Sequence, residues 1–407
     1  MIEITHYDVA VVGGGIVGLS AALAAGQAGA NVILVDRGPP PRDRAKADGR
    51  TAALLDPAIA FLDRLGVWHE LSEHVAPLEA LRIVNLKDQR AANADLTFRA
   101  DEVSLDAFGY NIPNDALSRT LHTKAHGINS VALLTDTTFS SINVVGDHAV
   151  LTLDDGRHVA ARLLVAADGR HSAARQSLAI DAQVRDYGQS AIVCSFDHER
   201  PHDATSIELH RPGGPFTMVP LPGQRSSLVW VEPTEKANAL MALDDKAFLQ
   251  ELNFQASPWL GHVSHVSVRR SYPLSGVLAK SLTAPRTVLI GEAAHALSPI
   301  GAQGLNLSLQ DVSLLGDLID QAIATKRDPG SATLLDAYRE KRMPDIRARY
   351  LAVDGLNRMV ASDWRLVGLA RATGLQALGK LPFVRRRLMH AMMTSLELPS
   401  ALARMAA

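Results

Sequence analysis

Apolar residues recur along this chain at two spacings. Between Tyr7 and Val12 they form a short, largely β-branched run, the pattern of a strand covered on both faces. LSAALAAGQAG follows as an Ala-rich helix that ends at Gly29, and NVILV returns to strand. VLTLDDGRHVAARLLVAA reads as a hairpin turning at Asp155 and Gly156 and leading into a buried strand. SAIVCSF, TSIELH, FTMVPL and SSLVWVEP give the following region a β-rich character. After the strand RTVLI, the stretch LNLSLQDVSLLGDLIDQAIA sets apolar residues at helical spacing. The fold class expected is mixed α/β.

Composition narrows the picture. With 407 residues, 47% of them hydrophobic and 21% charged, the chain is long enough for two or three domains and a substantial core. A formal net charge of −2 supplies no overall basic field, so nucleic acid is not expected as a partner. The one cysteine, Cys194, excludes an intramolecular disulfide and any Cys-based zinc or iron–sulfur site, and AIVCSF reads it as a core thiol on a strand. No metal site is expected. MIEITHYD runs into the first strand without the features of a signal peptide, and no apolar run reaches the roughly 18 residues of a membrane span. The expectation is a cytoplasmic protein that meets a membrane only from one side.

Three glycine-rich segments punctuate the pattern. After the first strand come Gly13, Gly15 and Gly18 at G-x-G-x-x-G spacing, with Ile16 and Val17 between the last two. Such glycines allow a tight turn, close backbone approach to a pyrophosphate, and close helix–strand packing. The phosphates then meet the unpaired N–H groups of the helix N-terminus. Asp36, followed by Arg37, ends the next strand and is placed to accept hydrogen bonds from an adenosine ribose. This segment alone does not separate FAD from NAD. The second segment is Asp168-Gly169 at the end of a buried strand, followed by His171, Ser172 and Arg175 as a helix starts. It offers a carboxylate and open backbone to a ligand, or else is a capped turn. The third runs from Gly291 to Asp311. Glu292 stands just past a strand, Pro299 lies in the loop, and a helix opens near Gly304, Leu305 and Asn306. The positive end of that helix would face whatever lies in the loop. His295 is expected to pack and hydrogen-bond there.

In this order the segments resemble those of the para-hydroxybenzoate-hydroxylase-like (class A) flavoprotein monooxygenases, and among them the ubiquinone-biosynthesis hydroxylases. The resemblance spans nearly the whole chain. It rests on Gly13/Gly15/Gly18, on Asp168 through Arg175 as D-G-x-x-S-x-x-R, and on Gly291 through Asn306 as the family's G-D-A-A-H-x-x-x-P-x-x-G-Q-G-x-N stretch. GRTAALLDPAIAFLDRLGVW looks like the family's arginine-bearing segment, which makes Arg50 a candidate flavin contact. GYNIPNDALSRTL resembles the family's valine-glutamate-asparagine segment preceding a helix, with Asn114 in place and Pro113 where glutamate is usual. Two further departures are Glu292 for the usual aspartate, and Ser308 where glycine is common, which should hinder close approach there.

The resemblance implies a Rossmann-like FAD domain carrying an inserted β-sheet substrate domain and C-terminal helices. The expected division is 1–72, 100–180 and 275–345 for the FAD domain, 73–99 and 181–274 for the substrate domain, and 346–407 for the helical tail. It implies that NAD(P)H reduces FAD and that a flavin C4a-hydroperoxide, formed with O₂, hydroxylates an aromatic ring. The substrate implied is a polyprenylated phenol of ubiquinone biosynthesis. No catalytic side chain is singled out, because the flavin carries the chemistry. Glu292 would hold a ribityl hydroxyl, Pro299 and Gly304 would line the flavin-ring loop, and the backbone of Gly304–Asn306 would face the reduced ring. The alternatives are the same chemistry on a soluble phenol, or a non-catalytic FAD-binding member of a quinone-biosynthesis complex. A plain NAD dehydrogenase would not need the third segment, and the halogenase W-x-W-x-I-P signature is absent. Residues 355–407 hold eight Lys/Arg against two Asp/Glu and five of the nine methionines. They read as a surface for an anionic membrane, a biosynthetic partner or a second subunit, or as a packing helix with a solvated basic face.

Overall fold

Two large sheets of different character divide the chain. The computed structural model describes residues 4–41, 49–86 and 95–361, together with 383, 385–387 and 389. In the eight-stranded sheet, five parallel strands run in the order Thr287–Leu289, His158–Ala166, Ile4–Val12, Val32–Val35 and Val131–Leu134. Val9 to Val12 and Val32 to Val35 are buried on both faces, which is why their sequence is apolar without alternation. The helix Ile16–Gln27 returns the chain from the first strand to its neighbour and lies between the helices Asn114–His126 and Gln303–Ala324. The hairpin of Phe139–Val145 and His148–Leu153 extends this sheet, with Gly156 at a positive φ in the turn that follows.

The nine-stranded sheet is mostly antiparallel, and its sequence alternates accordingly. On the long strand Ala182–His198, Ile192, Cys194 and Phe196 pack with Phe216, Met218, Leu228 and Trp230 beneath the helices Thr234–Ala242 and Asp245–Leu260. The opposite face carries Ala191, Val229, Val231 and Leu274. At one end of the packed face Glu232 is fully buried, and one of its oxygens accepts from Arg211, Trp230 Nε1 and Lys236. A small third sheet joins Thr51–Leu54, Tyr110–Pro113 and Ala76–Pro77.

Two expected boundaries move. The strand Arg270–Ala279 pairs along Ala182–Val193, so the division after residue 274 would cut through it. The helix Ala332–Ala361 runs unbroken past residue 345, so no separate segment begins there. Most of the basic tail, with its expected membrane, partner and dimer contacts, lies outside the described residues. Of its described residues, Met389 is buried beside Leu96, Phe98 and Val103, while Arg385 reaches Glu102 and the Thr97 carbonyl. No helix among the described residues is long and apolar enough to cross a membrane.

Cys194 is buried, and burial pushes its thiol up to about 12. A thiol reagent at mild alkaline pH should therefore label the chain only after unfolding in urea. Labelling of the native protein at the rate of a free thiol would contradict this placement.

Candidate dinucleotide site

The three glycine segments, far apart in sequence, meet at the carboxyl ends of adjacent parallel strands. The first strand stops at Val12, and Ala167 of the second segment donates its N–H to the Val12 carbonyl at 2.8 Å. Ile290, leading into the third segment, donates in turn to the Ala166 carbonyl at 3.0 Å. On the other side Gly13 donates to Val35, next to Asp36, at 2.8 Å. This crevice beyond the strand ends is where open α/β sheets place their ligands.

The glycines divide by what surrounds them. A Cβ on Gly13 would lie 2.4 Å from the Ala167 carbonyl oxygen, and one on Gly18 only 1.8 Å from that of Gly13. These two are demanded by packing within the protein. Gly15, Gly169 and Gly304 have no heavy atom within 4 Å of the same position. Their bareness satisfies no protein neighbour and leaves room for something to approach the backbone.

In the second segment the carboxylate of Asp168 serves its own turn. One oxygen accepts from Ser172 Oγ at 2.5 Å and the other from the Ala174 N–H at 3.0 Å. The Asp168 carboxylate thus caps its own turn, and each oxygen keeps a further lone pair. Arg175 is buried and donates to the Ala293 carbonyl at 2.7 Å and the Arg170 carbonyl at 3.1 Å, joining this segment to the third.

The third segment is pinned by Asp311, which has no exposed surface. It accepts the Gly291 N–H at 3.0 Å, Arg342 Nε at 2.8 Å, and a 2.6 Å hydrogen bond with His295 Nε2. Burial alone would raise the Asp311 carboxyl, but His295 and Arg342 outweigh it and hold it below the usual carboxylate range. Arg342, the missed member of this set, also donates to the Leu307 carbonyl at 3.2 Å. Only the apolar setting of an acid in LNLSLQDVSLL hinted that a buried partner must exist.

The helix Gln303–Ala324 then begins with Ala302 in the left-handed region, no side-chain cap and no acid in its first turn. Its leading N–H groups, the positive pole of a long helix, are left to a ligand or solvent. Ser308 does not crowd this end, as had been expected. Its hydroxyl is buried and turns back onto the Gly304 carbonyl at 2.8 Å. The Asn306 amide is fully engaged, donating to the Ala53 and Ala302 carbonyls and accepting from the Leu55 N–H, so only its backbone faces the site.

The remaining candidates lie around this core. Val17 packs 3.0 Å from where a Gly291 Cβ would be, Ile16 and Leu305 are half-buried, and Pro299 and Arg37 are exposed. Asp36 is half-buried behind Gly14, where a Cβ would come within 2.8 Å of its carboxylate. Arg50 is exposed with its guanidinium 5.0 Å from the Tyr272 ring centroid, and its carbonyl accepts the Asn114 N–H at 3.0 Å. Asn114 Oδ1 is buried with no partner among the described residues. Glu292 is about half exposed and is paired with Arg170 at 3.2 Å, a residue that sequence reasoning passed over. Among the described residues no group of three or more His, Cys, Asp or Glu is arranged to hold a metal ion.

Three tests of fit favour an extended dinucleotide: bare backbone at Gly15, Gly169 and Gly304, an unpaired buried amide oxygen at Asn114, and an uncapped helix N-terminus. Comparison with known proteins agrees with that geometry. Residues 6–350 match the FAD binding domain family. The chain is 34% identical to ubiquinone hydroxylase UbiL of Rhodospirillum rubrum, over 96% of this chain and 90% of that protein. It is 29% identical to ubiquinone hydroxylase UbiM of Neisseria meningitidis, over 94% and 83%. Among solved structures, p-nitrophenol 4-monooxygenase PnpA from Pseudomonas putida superposes with a TM-score of 0.79 at 17% identity, over 98% of this chain and all of that one.

Two predictions follow from the packing. Gly15→Trp should unfold at the wild-type midpoint yet lose dinucleotide binding, whereas Gly18→Ala should cost about 1–3 kcal/mol of stability through overlap with Gly13. Thermal unfolding and flavin-fluorescence titration separate the two effects. Asp311→Asn should cost about 3–5 kcal/mol at neutral pH, because the buried cluster loses the one carboxylate shared by Arg342, His295 and the Gly291 N–H, leaving Arg342 only its pair with Asp345. Since the folded carboxyl lies below its unfolded value, its contribution is complete above about pH 4 and fades as pH falls through the lower folded value. Urea unfolding at pH 7 and again below about pH 4 should show that acid limb in the wild type and a flatter one in the variant.

Proposed function

The chain belongs to the FAD binding domain family, in the group that holds the ubiquinone hydroxylases, and on that premise we propose that it hydroxylates the aromatic ring of a ubiquinone precursor. FAD is the cofactor, NAD(P)H the reductant and O₂ the source of the oxygen atom. The observation that carries the reading is the meeting of three strand ends around bare glycine backbone and the open end of a long helix.

When bound, FAD supplies hydride acceptance and oxygen activation, chemistry that no side chain of this site performs. The chain's own residues hold and orient it. Gly15 and the first turn of Ile16–Gln27 receive the pyrophosphate, with Ile16 and Val17 beside it, and Asp36 takes the adenosine ribose, flanked by Arg37. Glu292 faces the ribityl chain. Gly169, Arg50 and the orphaned Asn114 oxygen would border the flavin, and Pro299 would help to exclude water from the ring. The N–H groups at Gly304, Leu305 and Asn306 would favour negative charge on the bound ring through the helix pole.

The substrate ring has a suitable wall. The face of the nine-stranded sheet bearing Ala191, Val229, Val231 and Leu274 also bears Ser227 and Tyr272, which meet Thr51 and Arg50. That wall is apolar, as an aromatic ring with a hydrocarbon tail requires. A prenylated phenol resides in the bilayer, so the same reading includes contact with an anionic membrane surface. Phe383, Arg386 and Arg387 are exposed and chemically suited to it.

The test is turnover by the purified holoenzyme of a prenylated phenol in anionic vesicles, beside the same phenol without its tail in buffer. We expect NAD(P)H oxidation stimulated by the vesicle-borne phenol and a product one oxygen heavier by mass spectrometry. Turnover of the tailless phenol alone would move the substrate to soluble phenolics. Absence of both would leave a flavoprotein without hydroxylase activity.

A further inference from the structure

One guanidinium touches both the dinucleotide site and a strand of the nine-stranded sheet. Arg170 Nη1 donates to the Pro273 carbonyl at 3.0 Å and to Ser275 Oγ at 3.4 Å, both on the strand Arg270–Ala279. Its Nη2 donates to Glu292 Oε1 at 3.2 Å. Its own carbonyl is held by Arg175, whose other arm holds the carbonyl of Ala293, the residue after Glu292. Arg170, Glu292, Ala293 and Arg175 thus form a closed ring of contacts across the second and third segments, with Arg170 extending it to the second sheet.

We infer that Arg170 is a positioning residue: it sets the direction of the Glu292 carboxylate and ties that direction to the substrate sheet. The inference deepens the reading of this crevice as a flavin site and rests on it. The pair is too exposed to add much stability, at 26% and 44% of side-chain surface, so a purely structural role would be a weak one. What it does supply is direction. A guanidinium is a planar, rigid fork, so the bonds to Pro273 and Ser275 fix where Nη2 points and hence where Glu292 Oε1 lies. Glu292 Oε2 has no hydrogen-bond partner among the described residues and is left for a ligand hydroxyl. The glutamate is also part of the device. An aspartate at 292, one methylene shorter, would draw back from Arg170, so the length of the acid and the presence of the arginine belong together.

The experiment is FAD titration of apoprotein by flavin fluorescence, with unfolding midpoints of the same apoproteins alongside. Arg170→Met should weaken FAD binding about tenfold while leaving the midpoint near wild type. Arg170→Lys, which keeps the charge without the fork, should recover only part of that loss. In a Glu292→Asp background the Arg170→Met change should have almost no further effect, because the contact it removes is already lost. The visible circular dichroism of the flavin that still binds Arg170→Met should differ from wild type. FAD affinity of Arg170→Met within about twofold of wild type, or an equal loss in both backgrounds, would overturn the inference. Failure of wild-type apoprotein to bind FAD would instead overturn the flavin reading beneath it.

Discussion

A carboxylate with no access to water has to find its hydrogen-bond and charge partners inside the protein, and Asp311 finds them at three places along the chain. Gly291 comes from the end of a parallel strand, His295 from the loop beyond it, and Arg342 from the following long helix. Satisfying that one charge brings all three into a single arrangement. The helix carrying Asp311 is thereby held with its N-terminus at the mouth of the crevice, and the rest of the site is arranged around that end. A second buried charge, Glu232, plays the corresponding part for the packed face of the nine-stranded sheet, gathering Arg211, Trp230 and Lys236.

The site itself combines two kinds of economy. Gly13 and Gly18 let strand, turn and helix pack more closely than any side chain would permit, while Gly15, Gly169 and Gly304 leave backbone uncovered. The polar side chains near the crevice are mostly occupied with one another. Asp168 caps its own turn, Asn306 staples the helix to residues 53–55, and Ser308 folds back on its own helix. Bare main chain, the unpaired amide oxygen of Asn114 and the second carboxylate oxygen of Glu292 stand apart from these pairings. Such a site holds a large cofactor by shape and backbone dipoles, leaving reactivity to the cofactor.

The sequence made the strands and their glycine turns legible because both depend on local rules. An unbroken apolar run means burial on two faces, and glycine spacing means a turn followed by a helix. Positions that depend on distant partners were not legible in the same way. Nothing local says that Asp168 bonds Ser172 in preference to a ligand, or that Asp311 waits for an arginine 31 residues on. Ser308 was misjudged because its rotamer, not its size, decides what it crowds. The boundary at residue 274 failed for a related reason, since strand pairing with Ala182–Val193 continues past the point where composition changes.

One short strand has a broader meaning. His295–Ala296, in the middle of the third glycine segment, pairs with Leu278 and Val277 and so forms the edge of the nine-stranded sheet. The loop proposed to meet the cofactor thus also contributes the outermost strand of the nine-stranded sheet. The two halves of this protein are therefore not interchangeable modules. A lineage changing its substrate could remodel the far strands freely, but exchanging the whole sheet would tear the cofactor loop in two.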